Sequence, residues 1–292
     1  EDKALDTLID LALDEDLGPG DRTTEWTVEP GALGKAVIVA KEPMVVAGTR
    51  AAVEVFQRVE PGLEVTLKAR DGDGLVAEDE LLELEGPLRG ILSGERVALN
   101  FLGRLSGIAT LTRRFVSAVE GTGATILDTR KTTPGWRSLE KAAVRAGGGR
   151  NHRGGLHDMV LVKDNHLVAA GGVAAAVERV RAGNTLGLAV EVEVDTLQEL
   201  DELLPLNVDR ILLDNMDLEV LREAVARIRK VGEGRPLAEA SGNMILERVR
   251  AVAEIGVDLI SVGALTHSAP QADLSLRVLR RWNQERDWHP EG

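Results

Sequence analysis

The sequence has no cysteine, which excludes disulfide staples, thiolate metal sites and a cysteine nucleophile. Tyrosine is absent too, and three Phe and four Trp are the only aromatic residues. The core must therefore be Leu, Val, Ile and Ala, and a stacking platform for nucleic-acid bases is not expected. Positive charge is in deficit, with 35 Lys and Arg against 48 Asp and Glu, a formal net charge of −13. A chain of that sign repels a phosphate backbone, so nucleic acid is not an expected partner, although a local basic cluster can still hold a small anion. No apolar run approaches the roughly 20 residues of a membrane-spanning helix. The opening EDKALDTLID is acidic and amphipathic, unlike a signal peptide. No membrane partner is expected, and the expected compartment is the cytoplasm. What remains is an ordinary globular mixture, 43% apolar and 28% charged over 292 residues, enough for one or two domains with a real core.

The pattern changes along the chain. Leu5, Leu8, Ile9, Ala12 and Leu13 mark a helix over residues 3–17, stopped by Gly18-Pro19-Gly20. From about 34 to 90, short Val-rich runs separated by turns predict a small antiparallel β layer, interrupted by a helix near 49–59. Residues 92–119 read as one long helix with Ser93 as its N-cap. Gly103, Ser106, Gly107 and Ala109 predict close packing of that helix, and a domain boundary falls near 90–105. Beyond 120, six apolar runs each end in polar residues and lead into a helical stretch: ATILDTRK, MVLVKDN, LAVEVEVD, RILLDN, PLAEASGN and DLISVGA. Alternation of this kind means a parallel sheet, and six such units favour a closed α/β barrel. No G-x-G-x-x-G follows the first run, which counts against a dinucleotide fold. One more turn and a closing helix are expected near 265–280, then a loose tail, RDWHPEG.

In a barrel, the C-terminal ends of the strands carry the site. Those ends hold Arg130 and Lys131, then Lys163, Glu193 and Asp214, and finally Ser241-Gly242-Asn243 and Ser261 with Gly263. Together with His152 and Arg153 of a Gly-rich loop, the early cations suit a ligand of several negative charges. Surface ion pairing is the alternative reading. Glu193 and Asp214 could hold Mg²⁺, contact ribose hydroxyls or stabilise a developing positive charge, or form an ion-pair network with Glu191 and Asp195. The small residues at the late ends resemble the phosphate site of many barrels. His157 and His166 read as orienting backbone. The residues by themselves point to a barrel enzyme for a phosphate-bearing polyanionic small molecule, working with Mg²⁺.

Seven strings, taken together, resemble the quinolinate phosphoribosyltransferase family. They are EDLGPGDRTT, GERVALNFLGRLSGIAT, the long DTRKTTPGWRSLEKAAVRAGGGRNHRGGLHDMVLVKDNH, VEVEVDTLQE, ILLDNM, EASGNM and DLISVGALTHSAP. The resemblance implies an α/β fold: an N-terminal open α/β sandwich domain, residues 1–105, followed by a TIM-like, seven-stranded barrel, residues 106–292. It implies Mg²⁺-dependent phosphoribosyl transfer from phosphoribosyl pyrophosphate to quinolinate, yielding nicotinate mononucleotide, CO₂ and pyrophosphate in NAD biosynthesis.

The resemblance also implies roles. Thr129, Arg130, Lys131, His152, Arg153 and Lys163 would hold the two carboxylates of quinolinate. Arg96, in GERVALN, would reach the pocket from a neighbouring subunit, so a homodimer or higher even oligomer is implied. Glu193 and Asp214 would face the ribose and the Mg²⁺-pyrophosphate, binding the metal directly or through water, with Lys131 and Lys163 beside them in the reaction. Ser241, Gly242 and Asn243, with Ser261, Val262 and Gly263, would take the 5′-phosphate. Many relatives have Gly where Asn243 stands. A paralogue with another acceptor, such as those linked to molybdenum transport, and a non-enzymatic anion-binding barrel are the competing readings. The intact TRK and HR pairs argue for a dicarboxylate.

Overall fold

The computed structural model describes residues 2–283; the tail expected at 286–292 lies outside them. The chain runs α1 (Asp2–Leu17), α2 (Arg22–Thr27), β1 (Ala32–Ala40), β2 (Met44–Val45), α3 (Thr49–Val59), β3 (Glu64–Leu67), β4 (Gly74–Leu75), β5 (Glu80–Pro87) and the long α4 (Leu88–Ala118). Strands and helices then alternate: β6 (Thr125–Leu127), α5 (Arg137–Ala146), β7 (Val160–Val162), α6 (Asp164–Ala170), α7 (Val173–Gly183), β8 (Val190–Val194) and α8 (Leu197–Leu203). After these come β9 (Arg210–Asp214), α9 (Leu218–Lys230), β10 (Leu237–Ser241), α10 (Leu246–Ile255), β11 (Leu259–Ser261), α11 (Ala264–His267) and β12 (Leu274–Asn283). The chain forms two compact units. The first comprises the segment up to Arg113, Thr133–Gly148 and the chain from Ala269 on; the second is Arg114–Thr132 with Gly149–Ser268.

In the first unit, an antiparallel sheet of order β12-β1-β5-β3 shares one apolar core with helices. That core joins Ile38, Leu82 and Leu84 of the sheet to Ile9 of α1, Phe56 of α3 and Leu102 of α4. Phe101 and Trp136 stack at 4.7 Å, a pairing that uses two of the chain's few rings. The small residues of α4 let backbone come close, as their spacing predicts. A Cβ at Gly107 would sit 1.9 Å from the Pro270 carbonyl oxygen, and Ser106 Oγ accepts from the Ala47 amide at 3.0 Å. Two expectations need correction. Helix α4 starts at Leu88, so Ser93 lies inside it and its hydroxyl donates to Asp21 at 2.9 Å instead of capping. The segment near 274 is no helix: β12 pairs antiparallel with β1 from Ala32↔Asn283 to Ala40↔Leu274. Leu274, Leu276 and Val278 alternate with polar residues, a period that suits a strand laid along an available edge.

In the second unit, six strands form a parallel, TIM-like sheet of order β6-β11-β10-β9-β8-β7. The six apolar runs of the sequence are these six strands. In place of a seventh there is a single bridged residue. Arg150 lies parallel to β6, donating its amide to Ile126 at 2.9 Å and accepting from Asp128 at 3.2 Å. Three glycines precede it, which leaves that stretch too poor in side chains for a longer strand. Helix starts are built locally. Thr196 and Glu199 form a reciprocal capping box on α8, and Asp217 accepts the amides of Glu219 and Val220 at the head of α9.

Candidate active site

Side chains alternate along a strand, so each barrel strand sends every second residue to one face. That rule generates the site. Leu161 with Lys163 beyond β7, Leu212 with Asp214 on β9, and Glu239 with Ser241 on β10 line one cavity of about 940 Å³. Glu193, Ser261 and Thr129 reach the same cavity from the ends of β8, β11 and β6.

Arg130, Lys131, Arg153 and Lys163 are the cations of the lining. Arg130 and Lys131 leave β6 in a tight turn, in which Thr129 Oγ1 accepts the Lys131 amide at 3.0 Å. Thr266 Oγ1 donates to the Lys131 carbonyl at 2.7 Å and ties that turn to α11. Arg153 is buried, and burial, followed by the neighbouring Arg130 charge, holds its guanidinium below the usual arginine range. Like charges in one cavity repel each other, and an anion between them would relieve the repulsion. Asp158 accepts the amides of Gly154 and Gly155 at 2.6 and 3.0 Å, shaping the loop that follows Arg153. Lys163 donates from Nζ to Glu193 Oε2 at 2.7 Å. The Lys163 amide donates to His166 Nδ1 at 3.0 Å, so His166 orients backbone, as expected from the sequence.

Carboxylates stand beside the cations at the strand ends. Glu193, Asp195 and Asp214 each offer an oxygen within 4.8 Å of the others. Burial, then the nearby Asp214, raises the Asp195 carboxyl. An all-oxygen carboxylate set of this kind fits a hard divalent ion such as Mg²⁺. A second group, His152 with Glu191 and Glu239, is buried deeper in the barrel.

The late strand ends form a cradle. Gly242 has φ +90, and a Cβ there would lie 2.8 Å from the Asn215 backbone. Asn215 and Asn243 both hold positive φ, 52 and 44, and Asn243 Nδ2 donates to Asn215 Oδ1 at 3.0 Å. Asn is among the few side-chain-bearing residues that tolerate this conformation, so Asn243 fits where Gly would be expected. Gly263 sits against Lys131 and His267.

The cavity therefore brings together all but two of the residues to which the family resemblance gives a binding or catalytic role. Val262 is fully buried, and its amide donates to the Leu127 carbonyl at 2.9 Å, so neither its side chain nor its N–H faces the cavity. Arg96 is exposed on α4 in the first unit. Four polar lining residues were not foreseen: Asn215, Glu239, His267 and Ser268. Glu239 could have been found by stepping two residues back from Ser241.

The family model described as quinolinate phosphoribosyl transferase, C-terminal domain, matches residues 108–277, and its N-terminal counterpart matches residues 21–106. A Mycobacterium leprae protein named nicotinate-nucleotide pyrophosphorylase (carboxylating) is 45% identical over 278 residues, covering 94% of this chain and 97% of the relative. A Synechocystis protein named probable nicotinate-nucleotide pyrophosphorylase (carboxylating) is 42% identical over 281 residues, covering 94% and 93%. Among solved structures, the nicotinate-nucleotide pyrophosphorylase from Francisella tularensis superposes with a TM-score of 0.90 at 37% identity, covering 96% of this chain and 97% of that one. With both domains matched in order and close relatives aligned along nearly its whole length, the chain belongs to the quinolinate phosphoribosyl transferase family.

Proposed function

We propose that this protein transfers the phosphoribosyl group of phosphoribosyl pyrophosphate to quinolinate, giving nicotinate mononucleotide, CO₂ and pyrophosphate for NAD synthesis. The observation that carries the reading is one cavity lined both by Arg130, Lys131, Arg153 and Lys163 and by the carboxylates Glu193 and Asp214, with Asp195 close to those two. The activity is the one named for the relatives described above.

The chemistry suits that lining. Quinolinate carries two carboxylates, and the guanidinium forks of Arg130 and Arg153 can grip them and orient the ring. Departure of pyrophosphate leaves positive charge on the ribose, which nearby carboxylates stabilise. The pyridine nitrogen bonds to C1 of the ribose as the bond from C1 to pyrophosphate breaks. The ring nitrogen is then positive beside the C2 carboxylate. Loss of CO₂ places an electron pair on C2, next to that charge, and a proton then takes its place. Glu193, Asp195 and Asp214 would hold Mg²⁺, whose chemistry when bound is to neutralise charge on the leaving pyrophosphate. Ser241, Gly242 and Asn243, with Ser261 and Gly263, take the 5′-phosphate through backbone and hydroxyl donors. Arg96 of a second copy completes the dicarboxylate pocket, which makes the working unit a homodimer or a higher even oligomer.

The test is direct. The pure protein incubated with quinolinate, phosphoribosyl pyrophosphate and Mg²⁺ should form nicotinate mononucleotide and release CO₂. A folded protein that forms none refutes the reading.

A further inference from the structure

His152 lies among the cations of the cavity, yet its ring is already spoken for. The Arg153 amide donates to Nδ1 at 2.8 Å. A ring nitrogen that accepts a hydrogen bond has its lone pair committed and carries no proton, so the proton of the imidazole is on Nε2. Nε2 lies 2.9 Å from Glu191 Oε2, to which it donates, and 3.5 Å from Glu239 Oε1. Both nitrogens are therefore engaged inside the protein, and the ring offers a carboxylate no donor. Protonating Nδ1 would set two N–H donors against each other across 2.8 Å. The main chain is pinned on its other side as well, because the His152 amide donates to the buried Asp128 at 2.8 Å.

We infer that His152 is a positioning residue, a neutral imidazole that ties the Arg153 backbone to Glu191 of β8 and so aims the Arg153 guanidinium at the substrate dicarboxylate. This rests on the proposed function for the substrate, but the state of the ring does not. The titratable groups facing His152 are Glu191 from β8, Glu239 from β10 and Asp128 after β6, and Arg153 follows it in the chain. The same geometry speaks against a metal ion held by His152, Glu191 and Glu239. Ligation through Nε2 would push the proton onto Nδ1, where the Arg153 amide points.

The ring can be read by nitrogen NMR on the full-length protein labelled at histidine, with the His152 signals assigned by their loss in His152→Gln. The expected signature is a neutral, Nε2-protonated ring, unchanged between about pH 6 and pH 8 and unchanged by quinolinate. An imidazolium or an Nδ1-protonated ring, in the free protein or with Mg²⁺ added, would overturn the inference. This measurement needs no turnover, so its failure is separable from failure of the proposed reaction. Kinetics supply a second arm. His152→Gln keeps an acceptor and a donor in one side chain and should hold the quinolinate KM within about threefold. His152→Ala should raise it roughly tenfold or more, with the KM for phosphoribosyl pyrophosphate unchanged. Equal losses in the two variants would mean that ring charge, not position, is what matters.

Discussion

Lys163 and Glu193 form an ion pair of 2.7 Å that joins the ends of the neighbouring parallel strands β7 and β8 in the lining of the cavity. Glu193 is nearly buried while Lys163 is about half exposed. The lysine thus holds the carboxylate ready and remains able to turn toward an arriving anion. Glu193→Gln keeps the shape and removes the charge. It should lower kcat by about two orders of magnitude with little change in the quinolinate KM, because the lost interaction belongs to the charged transition state. Steady-state rates with each substrate varied decide this.

The carboxylate trio makes a separate demand. Glu193, Asp195 and Asp214 converge within 4.8 Å, and such a set is stable without a cation only at the expense of mutual repulsion. Removing divalent ions with a chelator should abolish turnover, and adding Mg²⁺ should restore it. Asp214→Asn should raise the Mg²⁺ concentration for half-maximal rate by about tenfold. A variant with an unshifted metal requirement would remove Asp214 from the metal site.

Glu239 predicts a dependence of stability on pH. Burial, and then the adjacent Glu191, pushes its carboxyl from 4.5 up to about 8. Neither of its oxygens meets hydrogen-bond geometry with another group among the described residues. Below about pH 4.5 folded and unfolded chains both hold this proton, and the group costs nothing. Between there and about pH 8 the unfolded chain releases the proton while the folded chain keeps it, so the contribution to stability falls as pH rises. Glu239→Gln should therefore gain on the parent protein as pH climbs through that window, read as the difference in urea midpoints. Midpoints that move in parallel would place the proton elsewhere.

In the first unit, a buried carboxylate is held by a partly buried arginine. Arg104 reaches Glu140 Oε1 with Nη2 at 2.8 Å and Nε at 3.2 Å, and Thr133 donates to the same carboxylate through its amide and hydroxyl. Glu140 is completely buried. Glu140→Ala leaves the guanidinium without its counter-charge and should cost about 3 kcal/mol of unfolding free energy, measured in urea. Its effect on kcat in the folded fraction should be small.

Much of the site was legible because strand chemistry has a period of two. Lys163, Glu193, Asp214, Ser241 and Ser261 stand where apolar runs give way to polar residues, and that transition marks the barrel rim. Glu239 obeys the same period but sits one step deeper, where an apolar residue is the normal occupant. Asn215 gains its role from a positive φ and a partner in the turn beyond the next strand, neither of which composition reveals. The strand β12 was misread because Leu276 and Leu279 also fit a helical spacing; the free edge of β1 decides between the two. Arg150 passes for loop because its hydrogen bonds come from β6 and not from its glycine-rich neighbours.

The dicarboxylate grip is tested most directly by calorimetric titration of quinolinate into the parent protein and into Arg153→Ala. The parent should bind quinolinate well above nicotinate, which carries one carboxylate. The variant should lose at least about a hundredfold in affinity while keeping its folded state. Equal affinity of parent and variant for quinolinate, or equal affinity of the parent for the two ligands, would contradict it.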